Sequence, residues 1–126
     1  MKIDAIGVKS TDLAKTISFY SIFGFTFPEL NDEDQHIEAI AESGQVRLMI
    51  DSAEMLESII GDKPVPSNHS AFAILCESPD EVNSVTKKIK DSGFDVIKEP
   101  WDAFWGQRYA IVKDPDGYLI DLFASL

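Results

Sequence analysis

"WGQRYAIVKDPDGYLIDLF", from Trp105 to Phe123, is the stretch that decides how this chain is read. Two apolar runs flank Asp114-Pro115-Asp116-Gly117. Proline presets a bend and glycine permits a positive φ, so the stretch reads as a β-hairpin. Its second run places a carboxylate, Asp121, between Ile120 and Leu122. Residues two apart share a strand face, and those neighbours are Leu119 and Phe123. One reading of Asp121 is a polar anchor or metal ligand on a cavity wall. The other is a charge on the solvent side of a strand near the chain end. The apolar neighbours argue only against its full exposure.

Working outward, alternation and turn residues predict strands over residues 2–8, 26–30, 36–41, 45–51, 69–76, 95–98, 107–113 and 118–124. A helix is expected after "STD", with Ser10 or Thr11 as the capping oxygen and Asp12 in its acidic first turn. Leu13, Ile17 and Tyr20 recur at helical spacing, and Gly24 closes the element. A second helix has Ser78 as cap, Pro79 at its first position, Val82, Val85 and Ile89 as its apolar stripe, and Gly93 at its end. "SAEMLESII" is a short amphipathic helix closed by Gly61, and "DKPVPSN" is a loop.

The order is therefore β-α-β-β-β, a linker, then β-α-β-β-β. Module one covers about residues 1–51, the linker about 52–67 and module two about 68–126. "KSTD" at Lys9 finds an echo in "ESPD" at Glu77, and "FGFTF" in "SGFDV", but the repeated order of elements is the stronger signal. The fold class expected is α+β: two βαβββ modules whose antiparallel sheets curve around a shared cavity, with the helices outside. A chain of 126 residues suits one such domain.

Composition narrows the partners. The net charge is −11, which repels phosphate backbones, so neither nucleic acid nor an anionic membrane is an expected partner. No apolar run approaches the roughly 20 residues of a membrane helix, and the N-terminus lacks a signal-peptide pattern. Cys76 is the single cysteine, so no intrachain disulfide or cysteine-rich zinc site forms, and a cytoplasmic location is expected. Cys76 itself reads as a small buried hydrophobe.

The segment 99–106 reads as an aromatic loop. With its flank it concentrates Trp101, Phe104, Trp105 and Tyr109. The preferred reading is the wall of an apolar pocket whose rings stack on a flat ligand; a dimer seam or plain core closure is the alternative. Gln107 and Arg108 can orient a ligand, and Arg108 can equally pair with Asp121 or another acid across the hairpin. Arg47, in an apolar strand, either grips a ligand carboxylate or snorkels to solvent; the second is preferred. His69 reads as a strand-start histidine and His36 as a surface residue.

Two stretches carry a family resemblance. "IDAIGVKSTDLAKTISFYSIFGFTF" and the closing "WGQRYAIVKDPDGYLIDLF" resemble the vicinal-oxygen-chelate superfamily, which holds glyoxalase I, extradiol dioxygenases and bleomycin-resistance proteins. The resemblance implies a homodimer and a small-molecule ligand. In the metal enzymes of that superfamily each module supplies two ligands, drawn from His, Gln and Glu. Here the first-strand position falls on Ala5 and the fourth-strand position near Leu48. Asp121 takes the place of the last Glu. His69 resembles the remaining His, although aligning "ESPD" with "KSTD" puts Ala73 there instead. His69 and Asp121 are thus the only metal candidates, and no cofactor is expected. The function implied is metal-independent binding of a small flat or aromatic molecule in an apolar cavity. The alternatives are a metal-dependent glyoxalase-type lyase, isomerase or dioxygenase, and a metal-free enzyme with Asp121 as general base.

Overall fold

Asp12, not Ser10 or Thr11, caps the first helix. Its Oδ1 accepts the Lys15 amide at 3.1 Å, while the buried Ser10 hydroxyl bonds Thr16 Oγ1 at 2.7 Å and is committed to the core. The structure, a computed structural model, describes residues 3–126, and of Ser70 and Ala71 the backbone alone. It divides into two units, the first ending at Val65 and the second beginning at Pro66.

The first unit contains β1 (Ala5–Ser10), α1 (Leu13–Ser21), β2 (His36–Glu38), β3 (Arg47–Ser52) and α2 (Ala53–Ile60). Its sheet has the order β1-β3-β2, with β1 parallel and β2 antiparallel to β3. Val8, Ile37, Leu48 and Ile50 are buried, as are Phe19 and Tyr20 of α1, which lies against β3. Residues 26–30 do not form the expected strand. The Ile40 amide, donating to the Thr26 carbonyl at 2.8 Å, ties this segment to the β2 side, and Pro28 has no N–H to give. The expected start of the first strand at Lys2 lies outside the described residues.

The second unit contains β4 (Ser70–Leu75), α3 (Pro79–Asp91), β5 (Asp95–Ala103), β6 (Gln107–Lys113) and β7 (Leu119–Ser125). The sheet order is β4-β7-β6-β5, with β4 parallel to β7 and the other pairs antiparallel. Both sheets are thus mixed. α3 is built as its sequence indicates: Ser78 Oγ accepts the Glu81 amide, Pro79 opens the helix, and Val82, Val85 and Ile89 are buried. It covers the sheet face that carries Ala110, Val112, Ile120, Leu122 and Ala124, all buried. Each large apolar side chain buried here contributes about 1.5–3 kcal/mol.

Residues 99–106 are mostly strand, not loop. β5 continues through Pro100 to Ala103, leaving a tight turn at Phe104, Trp105 and Gly106. Pro100 is tolerated because β5 is an edge strand and its pairing with β6 shifts register between Lys98 and Trp101. Gly106 takes the left-handed conformation (φ 88°) that a three-residue hairpin turn requires. Among the described residues no helix is long and apolar enough to cross a membrane. Two small sheets and three helices in two similarly ordered units make an α+β protein of the expected class.

Candidate functional site

Strand alternation sorts β6 into two sets. Arg108, Ala110 and Val112 point to the α3 side, and Gln107, Tyr109 and Ile111 to the other. Tyr109 stands opposite Trp101 on β5 and opposite Phe123 on β7. This register stacks the rings across three strands on the face away from α3. Tyr109 lies 5.3 Å from Trp101, 5.4 Å from Trp105 and 6.1 Å from Phe123, centroid to centroid. Trp101 and Trp105 meet edge to face at 6.3 Å. Trp105 is held by its Nε1, which donates to Gln107 Oε1 at 2.9 Å. Phe104 touches Trp105 at 4.9 Å but is itself 98% exposed, at the tip of the turn.

Two charged groups join the rings. The Tyr109 hydroxyl donates to Asp121 Oδ2 at 2.7 Å. Burial, and then this bond and the negative charge of Asp121, push the Tyr109 phenol up to about 12, so it remains a donor across the physiological range. The Lys98 ammonium lies 3.8 Å from the Trp101 ring centroid, within cation–π range.

Arg108 and Cys76, also singled out from the sequence, are placed apart from this cluster. Arg108 is on the α3 side, where Nε donates to Asn83 Oδ1 at 2.9 Å and Nη1 to Asp102 Oδ1 at 3.0 Å. It does not meet Asp121. His69 is exposed and precedes β4. Cys76 is buried, which pushes its thiol up and away from the reactive thiolate.

Arg47 belongs to a charge network on the first sheet. Its Nη1 donates to both carboxylate oxygens of Glu38 at 2.6 Å, and its Nη2 to Asp4 Oδ2 at 2.8 Å. His36 continues the chain, 2.6 Å from Asp51 and 3.1 Å from Glu38. The hydrogen bond to Asp51 holds the imidazole above its ordinary 6.5, against the opposing effect of burial and with a lesser contribution from the bond to Glu38. His36 is therefore expected to add stability that is complete below pH 6.5 and fades as pH rises through its folded value. Chemical denaturation of His36→Gln and the unaltered chain should differ more at mildly acidic pH than at mildly alkaline pH. A cavity of about 520 Å³ also opens in the first unit, near the capping residues Asp12 and Ser52 and the acids Asp32, Asp34 and Glu54. Its caps already satisfy the helix amides.

Sequence reasoning found the rings but not Lys98 as their partner, nor Phe123 as one of them. The spacing of Phe123 two residues after Asp121 was the available signal. Lys98 had none, because the register shift before Trp101 decides what lies over that ring.

A strand–helix–sheet unit that occurs twice is the fold this chain shares with its solved relatives. The chain belongs to the Glyoxalase/Bleomycin resistance protein/Dioxygenase superfamily, whose sequence pattern matches residues 2–122. It is similar to the uncharacterized protein YraH of Bacillus subtilis (strain 168), with 24% identity over 130 residues and complete coverage of both chains. Among solved structures it resembles a glyoxalase-related enzyme from Fulvimarina pelagi (TM-score 0.83, 18% identity, 98% of this chain and 88% of that one). It also resembles the hypothetical protein SA1046 from S. aureus (TM-score 0.80, 19% identity, 98% and 92%).

At the first-strand position of each unit where the resemblance would put a metal ligand stands an alanine, whose methyl group offers no lone pair. Ala5 pairs with Arg47, and Ala73 with Asp121. Leu48 is buried on the opposite face, so Arg47 is the residue that shares the face of Ala5. In the first unit these positions carry a methyl group and a guanidinium, neither with a lone pair to offer, and in the second a methyl group and one carboxylate. Among the described residues no group of three His, Cys, Asp or Glu side chains is placed to hold a metal.

Proposed function

We propose that this protein binds a small, flat, aromatic molecule on the ring cluster of its second sheet, without a metal, in the manner of bleomycin-resistance proteins. The observation that carries the reading is the cluster itself: Trp101, Trp105 and Tyr109 within 5.3–6.3 Å of one another, with Trp105 49% exposed and Asp121 hydrogen-bonded at its edge. Tryptophan at half exposure is costly to leave bare, and rings set edge to face present surfaces on which a further ring can stack. Asp121 supplies one directional polar contact in an otherwise apolar setting.

Tryptophan fluorescence and thermal shift against a panel of bicyclic aromatic compounds test this. A bound member raises Tm by mass action, by about 2.7 kcal/mol of stability at a hundredfold excess over Kd. Trp105→Ala is expected to weaken that member about tenfold, the equivalent of losing one aromatic pairing. The metal-independent half of the reading has its own test. Chain incubated with nickel, zinc, iron and manganese and then desalted is expected to retain far less than one equivalent; a full equivalent overturns it.

A further inference from the structure

In the first unit, both ring nitrogens of His36 are aimed at carboxylates. Nδ1 lies 2.6 Å from Asp51 Oδ1, and Nε2 lies 3.1 Å from Glu38 Oε1. A neutral imidazole has a single N–H, so its second nitrogen would meet a carboxylate lone pair to lone pair. The geometry is that of the imidazolium, which donates from both nitrogens. The side chain is 43% exposed, so water can deliver and remove the proton. His36 also stands at a strategic point in the chain. Asn31, Asp34 and Gln35, just before it, line the cavity of about 520 Å³ together with Ser52 and Glu54 at the start of α2. Gln35 ties this wall to Ser52 twice: its carbonyl accepts the Ser52 amide at 2.8 Å, and its Oε1 accepts the Ser52 hydroxyl at 2.5 Å. The next pair along the ladder is His36 with Asp51.

We propose that protonated His36 is a clamp that holds the 31–35 wall of this cavity against β3 and the start of α2, and that loss of its proton loosens the wall. Deprotonation replaces two charge-assisted bonds by one bond from a neutral donor, and it sets a nitrogen lone pair against a carboxylate. The charged groups around the ring come from every neighbouring element: Glu38 on its own strand, Asp51 and Arg47 on β3, Lys9 of β1 opposite Asp51, Asp34 in the wall and Glu54 of α2. The carboxylates outnumber the cations, which favours the protonated ring. Arg47 bonds both oxygens of Glu38, so that carboxylate keeps a cation when His36 becomes neutral. The sign is that of a raised folded pKa: the clamp is complete below 6.5 and fades as pH climbs through the folded value. The device lies in the first unit and does not depend on the aromatic-binding reading.

Amide hydrogen exchange of the full chain, read residue by residue by NMR, tests the clamp. The Ser52 amide is the reporter, because its acceptor is the Gln35 carbonyl in the wall. The Cys76 amide, bonded to the Phe123 carbonyl at 2.8 Å in the second unit, is the control for global stability. After correction for the intrinsic pH dependence of exchange, Ser52 protection is expected to fall about five- to tenfold from mildly acidic to mildly alkaline pH, the difference between a charge-assisted and an ordinary hydrogen bond. The fall should share its midpoint with the imidazole shifts of His36, and Cys76 should change much less. In His36→Gln, Ser52 is expected to show the lower protection at both ends of the range. Level protection at Ser52 while His36 titrates overturns the proposal. An equal fall at Cys76 also overturns it, by making the effect global. A fall that persists in His36→Gln assigns the proton to another group and overturns it as well.

Discussion

Tyr109→Ala is expected to abolish aromatic-ligand binding and to lower stability by about 2–3 kcal/mol, somewhat below the loss for a fully buried aromatic because Tyr109 is only half-buried. The residue is the hub of the cluster. Its ring meets Trp101, Trp105 and Phe123, and its hydroxyl holds Asp121. Tyr109→Phe divides these roles. It leaves the rings in place and removes one hydrogen bond, with an expected cost of about 1 kcal/mol in urea denaturation. Ligand stacking should survive it. The titration follows the same logic. Ultraviolet titration of the unaltered chain should show a phenol ionising at about 12 that is absent from Tyr109→Phe and moves down in Asp121→Asn. The sign for stability is that of a raised folded pKa: the contribution of Tyr109 is complete below its unfolded value of 10 and is lost as pH climbs through about 12. A phenol unmoved by Asp121→Asn contradicts the bond.

Asp114→Ala is expected to destabilise the chain by about 2–4 kcal/mol, the cost of leaving two amides at a turn without their charged acceptor. Asp114 is only 3% exposed. Its Oδ1 accepts the amides of Asp116 and Tyr118, both at 2.9 Å, and so closes the turn between β6 and β7 from within. Asp114→Asn retains an acceptor oxygen and should lose only about 1 kcal/mol. The turn also determines which residues of β6 and β7 face one another, and with them the placement of Phe123 and Asp121 against Tyr109. Ligand affinity is therefore expected to fall in Asp114→Ala although no ligand contact is removed. Urea midpoints for the three proteins, followed by calorimetry of the soluble fraction, test both statements.

The Asp-Pro-Asp-Gly hairpin, the Ser78–Pro79 start of α3 and its Val82, Val85 and Ile89 stripe were legible in the sequence, as was the β-α-β-β-β order of the second module. So was the concentration of rings around Trp101 and Tyr109. These features depend on residues a few positions apart, whose propensities, caps and periodicities act before any distant contact forms. Tertiary structure alone decided the rest. Residues 99–106 read as a loop in the sequence, yet the edge position of β5 and its register shift carry the strand through to Ala103. Arg108 and Tyr109 are adjacent in sequence, and strand alternation sends one to Asn83 of α3 and the other to Asp121. Lys98 reaches Trp101, and Arg47 joins Glu38 and Asp4, through pairings set by register. Register is a non-local quantity: a slip of one residue turns every side chain to the other face, so the residues that face a ligand depend on how turns and bulges count residues between strands.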